Sequence, residues 1–71
     1  MKENIKELDV VALLRDVPER ALIAGQVGTI LEILDKDVFE VEFSDDLGKA
    51  YAILSLKKED LMHLHYSPVA A

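Results

Sequence analysis

Apolar and polar residues alternate most regularly between positions 38 and 43. Because successive side chains of a β-strand point to opposite faces, this period of two predicts a strand whose outward residues are Glu40 and Glu42. The residues that this pattern places on the inward face are Phe39, Val41 and Phe43.

A second strand is predicted just before it, from Val27 to Leu34, with Asp35-Lys36-Asp37 as the turn between the two. Its faces are less distinct, because both are largely apolar. The face predicted to enter the core comprises Val27, Thr29, Leu31 and Ile33. The opposite face comprises Gly28, Ile30, Glu32 and Leu34. Glycines at positions 25 and 28 indicate a positive φ, a bulge or a closely passing neighbour strand.

The beginning of the chain has two interpretations. The apolar run at 10–14 favours a strand over residues 9–14 that is covered on both faces, whereas the spacing of Ile5, Leu8 and Val11 is also compatible with a helix over 3–14. Residues 15–25 are predicted to form a loop. Pro18 fixes its own φ and favours an extended conformation at Val17, and Leu22 or Ile23 is expected to fold back and anchor the loop.

The second half of the chain predicts two further strands. A loop over 44–49, with Gly48 in a left-handed conformation, leads into a strand over 50–56 that places Ala52, Leu54 and Leu56 on one face. Residues 57–60 are expected to form one helical or 3₁₀ turn, and a last strand over 61–66 is expected to return beside the first.

Five short strands, one long loop and one helical turn before the last strand predict a mainly β fold, a small SH3-like barrel. The expected organisation is a single SH3-like domain over 1–66 and a flexible C-terminal tail over 67–71. With 71 residues, no cysteine, no signal peptide and no apolar run long enough to span a membrane, we expect a cytoplasmic protein.

The negative charge is concentrated in one hairpin. Seven carboxylates and one lysine lie between residues 32 and 46, so this segment accounts for the whole formal net charge of −6. Such a surface repels the phosphate backbone of nucleic acids and attracts a basic protein. Charge of this kind also serves solubility alone.

Five segments within about residues 9–62 form a recognisable pattern: Asp9-Val-Val-Ala-Leu-Leu, Pro18-Glu19, Ala24-Gly-Gln-Val-Gly-Thr-Ile, Phe39-Glu-Val-Glu-Phe and Glu59-Asp-Leu. In these segments the sequence resembles a family of short bacterial proteins of unknown function that is common in cyanobacteria. The resemblance implies an SH3-like fold, supplies no catalytic residues, and weakly implies a protein partner of the toxin–antitoxin kind.

The segment Gly25-Gln-Val-Gly-Thr-Ile-Leu-Glu-Ile is also similar to the KOW motif of ribosomal and transcription-elongation proteins. That similarity implies contact with RNA, since those proteins carry the motif on basic barrels. Here the matching hairpin is the most acidic part of the chain, which argues against nucleic acid.

Two groups of residues have side chains that could support chemistry. His63 and His65 share a face of the predicted last strand and could begin a metal site with Glu59 or Asp60, but no cysteine or third histidine accompanies them. The paired carboxylates lie on turns and on an outward face, where acid–base catalysis has no pocket. We therefore expect no enzyme activity, no catalytic residue, no cofactor and no metal.

Apolar side chains opposite the assumed core faces suggest an interface instead. Tyr51, Ile53, Ile30 and Leu34 fall on such faces, and contiguous apolar patches mark interaction surfaces unless the twist of the barrel buries them. The expected function is a non-enzymatic protein-binding module, an antitoxin-like or regulatory partner of a basic protein. Its predicted contact residues are Glu40, Glu42, Asp45, Asp46, Tyr51 and Ile53. An RNA- or ribosome-associated barrel and a self-associating homo-oligomer are the alternatives.

Overall fold

The computed structural model describes residues 4–65. This part of the chain forms one antiparallel sheet, in which the strands lie in the order β4-β3-β2-β1-β5. The elements are β1 Val10–Leu13, a first 3₁₀ turn Pro18–Arg20, β2 Val27–Asp35, β3 Val38–Ser44, β4 Ala50–Lys57, a second 3₁₀ turn Lys58–Asp60 and β5 Leu61–His63.

The predicted mainly β architecture with five strands is confirmed, but a closed barrel is not. Consecutive strands pair as a meander from β1 to β4, and β5 returns to pair with β1. Over residues 4–65, β4 and β5 are the two edges and do not pair with each other. Buried residues from all five strands nevertheless form one core cluster.

The first strand is shorter than predicted, and the helical alternative is wrong for its residues. Val11 and Leu13 are buried, whereas Val10 and Ala12, on the other face, are half-buried. Pairing with β2 on one side and β5 on the other satisfies the backbone of this strand. It is therefore central in the sheet, and its outer face is only partly covered.

Leu22 anchors the loop between β1 and β2, and it is one of the two residues that were predicted to do so. Val17 and Leu22 exchange backbone hydrogen bonds of 2.9 and 3.1 Å, and both side chains are buried, while Ile23 is exposed. The loop also contains the first 3₁₀ turn, which the sequence pattern did not predict. Ala21 ends that turn with a left-handed φ of 57°.

The predicted core face of β2 is wrong. Ile30 is fully buried, whereas Val27 is 49% exposed. The cause lies at Gly28, which pairs with Phe43: a Cβ at this position would lie 2.7 Å from Cγ1 of Val41 and 2.9 Å from Cε1 of Phe43. Only glycine lets the two strands and the Phe43 ring approach so closely, so Gly28 and Ile30 face inward and Val27 faces outward.

An irregularity then changes the phase of the second half of β2. Ile30 pairs with Val41, and the next aligned pair is Glu32 with Glu40, so one residue of β2, Leu31, is extra between them. Such a bulge moves the following side chains to new positions relative to the core. Of the expected core residues, Thr29 precedes the bulge, is aligned with the outward Glu42 and is half-buried. Leu31 and Ile33 are exposed, although the register after the bulge aligns Ile33 with the buried Phe39.

The faces predicted for β3 and β4 are confirmed. Phe39, Val41 and Phe43 are buried, as are Ala52 and Leu56, and Leu54 is partly buried against the same cluster. Gly48 has the expected positive φ, 82°. The 3₁₀ turn before the last strand is also confirmed.

The last strand ends at His63, earlier than the predicted end at Tyr66. Its predicted position beside β1 is confirmed. Tyr66 and the tail predicted over 67–71 lie outside the described residues. Within residues 4–65, no helix is long and apolar enough to cross a membrane. The buried core consists of Ile5, Val11, Leu13, Val17, Leu22, Ile30, Phe39, Val41, Phe43, Ala52, Leu56 and Leu61.

Candidate functional site

The outer face of the sheet, opposite the core, brings acidic and apolar side chains together across three strands. Strand β3 contributes Glu40 and Glu42 to this face, because their neighbours on either side point inward. We call this surface the acidic–apolar face. It consists of Val27 and Glu32 on β2, Glu40 and Glu42 on β3, and Tyr51 and Ile53 on β4.

The acidic part of this face contains a pair of like charges. Glu32 and Glu40 are direct cross-strand partners, and Glu42 is two residues further along β3 on the same side. Directly opposed residues have Cβ atoms about 5 Å apart, where like charges destabilise a sheet. In residues 4–65, the ion pairs involve Asp60 and Asp9 and none of these three glutamates. Within residues 4–65, no ion pair therefore offsets this repulsion.

Apolar side chains border the carboxylates along β4. Ile53 is the cross-strand partner of Glu42 and is 45% exposed, and Tyr51 is 49% exposed. The Tyr51 hydroxyl accepts a hydrogen bond of 2.7 Å from Nε2 of Gln26, at the end of the long loop. This bond links Tyr51 on β4 to Gln26, the residue directly before Val27.

The loop between β3 and β4 places Asp45 and Asp46 next to Tyr51. Oδ1 of Asp45 accepts hydrogen bonds from the backbone N–H groups of Leu47 and Lys49, both at 2.9 Å, so this carboxylate stabilises the loop. Asp46 is exposed. A depression of about 500 Å³ joins this loop to the sheet; its lining is Gln26, Ser44, Asp45, Asp46, Leu47 and Tyr51.

The six residues predicted as contacts thus lie along one side of the molecule. Glu40, Glu42 and Ile53 share the sheet face, and Tyr51 connects them to the loop carboxylates. Ile30, which the sequence placed in the apolar patch, is in the core.

Two residues of the face were not among the predicted contacts. Val27 was placed in the core because the two faces of β2 are similarly apolar. Glu32 was recognised as acidic, but its position opposite Glu40 depends on the bulge at Leu31. The glycine at position 28 was the available signal, because a residue that tolerates no Cβ marks the tightly packed side.

The two histidines lie at the other edge of the sheet. Nε2 of His63 is 3.2 Å from Oδ2 of Asp9, and the ring centroids of His63 and His65 are 4.5 Å apart. Asp9 also accepts a hydrogen bond from the Lys6 backbone, at 2.8 Å. Among the described residues, no group of three or more His, Cys, Asp or Glu side chains is arranged to hold a metal ion.

Comparison with known proteins identifies a family. The model of a domain of unknown function, DUF4926, matches residues 7–63, so the chain belongs to that family. The match covers the described strands from β1 to β5. No curated protein and no solved structure shows significant similarity to the chain.

Proposed function

We propose that this member of the DUF4926 family is a non-enzymatic protein-binding module that uses the acidic–apolar face to bind a basic partner protein. The observation that carries the proposal is the cross-strand arrangement of Glu32 opposite Glu40 and Glu42 opposite Ile53. It combines glutamates that form no ion pair within residues 4–65 with exposed apolar area.

Charge and apolar contact have separate roles in this proposal. An arginine or lysine of the partner would lie among Glu32, Glu40 and Glu42 and relieve their mutual repulsion, which accelerates association and selects for basic proteins. Ile53 and Tyr51 would supply the desolvated contact that slows dissociation, since aromatic and aliphatic anchors dominate binding energy. Asp46, at the loop, would extend the negative field.

The biological form of this function is an antitoxin-like or regulatory partner in the cytoplasm, built on a sheet that we interpret as an open SH3-like barrel. An RNA-binding role is less well supported, because the KOW-like hairpin carries the three glutamates on its outer face. Self-association is the other alternative, and the experiment below separates it from a heterologous partner.

The experiment is an affinity pull-down with the tagged full-length chain at low salt, compared between two charge-matched variants. The Glu40→Lys/Glu42→Lys variant should recover less of a basic partner than the wild-type chain, by about tenfold or more, because two favourable charge pairs become repulsive. The control, Glu7→Lys/Glu19→Lys, changes the net charge equally at exposed positions outside the face. It should retain the partner.

The first substitution places an opposite charge across from Glu32, so loss of folding does not explain loss of binding. Salt should also elute the partner from the wild-type chain, because it screens the charge pairs between them. Equal retention by both variants would contradict the proposal. Recovery that disappears with nuclease would point to RNA, and recovery of the chain alone, with a native mass above the monomer, would point to self-association.

A further inference from the structure

The turn before β1 holds a leucine in a backbone conformation that suits glycine. The N–H of Asp9 donates to the carbonyl of Lys6 at 3.1 Å, which closes a turn whose third residue, Leu8, has a φ of 72°. A positive φ at this place is characteristic of a type II turn, which normally requires glycine or asparagine there. For a side chain as bulky as leucine this conformation is an outlier and costs backbone energy.

Two backbone hydrogen bonds fix this leucine against β2. The N–H of Leu8 donates to the carbonyl of Ile30 at 2.8 Å, and the N–H of Ile30 donates to the carbonyl of Asp9 at 2.9 Å. Two residues thus lie opposite one, as in a G1 bulge, and the first position of such a bulge is the one that glycine normally occupies. Glycine would therefore serve the backbone at least as well as leucine here.

The Leu8 side chain does not offset this cost by entering the core. It is 76% exposed, whereas Ile5, earlier in the same segment, is buried. Strained backbone conformations are concentrated where residues serve binding or catalysis. An exposed apolar side chain on a strained backbone therefore indicates a contact with another molecule.

Leu8 lies beside the acidic end of the acidic–apolar face. Along β2, the residues next to its backbone partner are Leu31, which is 36% exposed, and Glu32, the cross-strand partner of Glu40. The backbone of Leu8 is one strand spacing, about 5 Å, from β2 and about 10 Å from β3. On the opposite side of the glutamates, β4 contributes the exposed Ile53. The carboxylates therefore lie between two apolar groups.

We propose that Leu8 is a contact residue of this face and that the face binds a basic amphipathic helix of the partner protein. The inference rests on the proposed function and adds a further contact and the conformation of the bound segment. A helix is favoured over a strand because Glu32, Glu40 and Glu42 lie on β2 and β3, which are paired with neighbouring strands on both sides. A segment that lies on their side chains must satisfy its own backbone hydrogen bonds, as a helix does.

The spacing of the face matches such a helix. Leu8 continues the line of β1, so it lies three strand spacings, about 14 Å, from Ile53 on β4. A helix rises about 16 Å in eleven residues, or about three complete turns, so its first and twelfth side chains share a face. Cations at the fifth and eighth positions lie on the same face, about 6 and 10 Å from the first residue. Those distances bring them close to Glu32 and Glu40, on strands about 5 and 10 Å from Leu8.

A second copy of this chain is the competing occupant, and the charge pattern argues against it. In a twofold dimer, the same patch of both copies meets about the symmetry axis. Contact between Leu8 of one copy and Ile53 of the other would place that axis between these two residues, at the glutamates. The two Glu40 side chains would then face each other, and burying like charges together is costly. A helix that carries cations at this place relieves the repulsion instead.

The test uses two synthetic helical peptides with the full-length chain. The first has leucine at its first and twelfth positions and lysine at its fifth and eighth, on a background of alanine and glutamine. In the second, alanine replaces both leucines. Leu8→Gly should weaken binding of the first peptide by about fivefold or more, because an apolar contact is lost. It should leave the weaker binding of the second nearly unchanged, since that peptide offers Leu8 no large apolar side chain.

Stability separates a contact role from a structural one. Because glycine relieves the positive φ, Leu8→Gly should melt at the same temperature as the wild-type chain or a few degrees higher, although it binds less well. Leu8→Asn also tolerates a positive φ but has a polar side chain, and should lose the same affinity. Leu47→Gly removes the same side chain from the exposed β3–β4 loop and should leave the affinity for both peptides unchanged.

Other results would overturn the inference. If Leu8→Gly binds both peptides as the wild-type chain does, or weakens both equally, Leu8 makes no apolar contact. A lower melting temperature of this variant would show that the leucine serves the fold. If the wild-type chain does not bind the first peptide, this face does not take a basic helix, whereas failure of the proposed function itself appears in the charge-reversal pull-down. A native mass that rises with concentration in the wild-type chain but not in Leu8→Gly would assign Leu8 to a second copy.

Discussion

The two faces of β3 illustrate two different demands on one strand. Its inner residues Phe39, Val41 and Phe43 are almost completely buried, and glycine is required opposite Phe43 for the strands to approach. Its outer residues Glu40 and Glu42 are half-buried, lie beside Glu32 and Ile53, and have no ion-pair partner within residues 4–65. The inner face is what the fold requires. The opposed glutamates of the outer face should cost stability, which would agree with the interaction proposed for them.

The largest expected effect is on the inner face of this strand. Phe43→Ala should destabilise the domain by about 3–5 kcal/mol, because it removes a fully buried ring and leaves a cavity. A domain of this size has about that much stability in total, so the variant should be largely unfolded. Glu42→Ala, one residue away on the outer face, should change stability by less than about 0.5 kcal/mol. If the two variants had similar midpoints in urea denaturation, the inner and outer faces of β3 would not differ in their contribution to stability.

A smaller effect is expected from the glycine that sets the facing of β2. Gly28→Ala should destabilise the domain by about 1–3 kcal/mol, because the new Cβ would lie within 3 Å of atoms of Val41 and Phe43. Thr29→Ala, next to it and facing outward, should cost less than about 0.5 kcal/mol. Thermal unfolding followed by circular dichroism compares the two. A Gly28→Ala variant as stable as the wild-type chain would mean that the strands separate easily. Close approach at Gly28 would then not determine which side of β2 enters the core.

The smallest effect should have the opposite sign. Glu32→Gln removes the charge that opposes Glu40 and should stabilise the domain by about 0.2–1 kcal/mol, which raises the melting temperature by a few degrees. The gain should shrink in 1 M salt, which screens the repulsion. Glu19→Gln, on the exposed first 3₁₀ turn, is the control and should be neutral. A destabilised Glu32→Gln variant would show that this carboxylate has a structural partner.

Much of the fold could be predicted from short patterns. The regular alternation at 38–43 determined both the strand and its inward face, Gly48 indicated the left-handed loop, and Leu22 was one of two residues expected to anchor the long loop. These features depend on a residue and its immediate neighbours. The length of β5 was missed because it depends on pairing with β1, far away in the chain. The turn at Pro18–Arg20 is closed by local hydrogen bonds, from the N–H of Arg20 to the carbonyl of Val17 and from the N–H of Ala21 to that of Pro18, and a turn of three residues has no periodic pattern that would predict it.

The candidate site was predicted less completely, although all six proposed contacts lie on one side of the molecule. Which of them act in binding stays a prediction. The assignment of Ile30 to the patch failed together with that of Val27 to the core, since both rested on one choice between two apolar faces. Glu32 entered the site only through its cross-strand position.

By itself, the sequence determined that this chain is mainly β, that its charge is concentrated in one hairpin, and which faces of β3 and β4 enter the core. Local alternation and composition suffice for these properties. The tertiary structure alone decided the facing of β2, the opposition of Glu32 and Glu40, and the position of β4 and β5 at the edges of the sheet. Each depends on strand register, and register is set by packing between residues far apart in the chain.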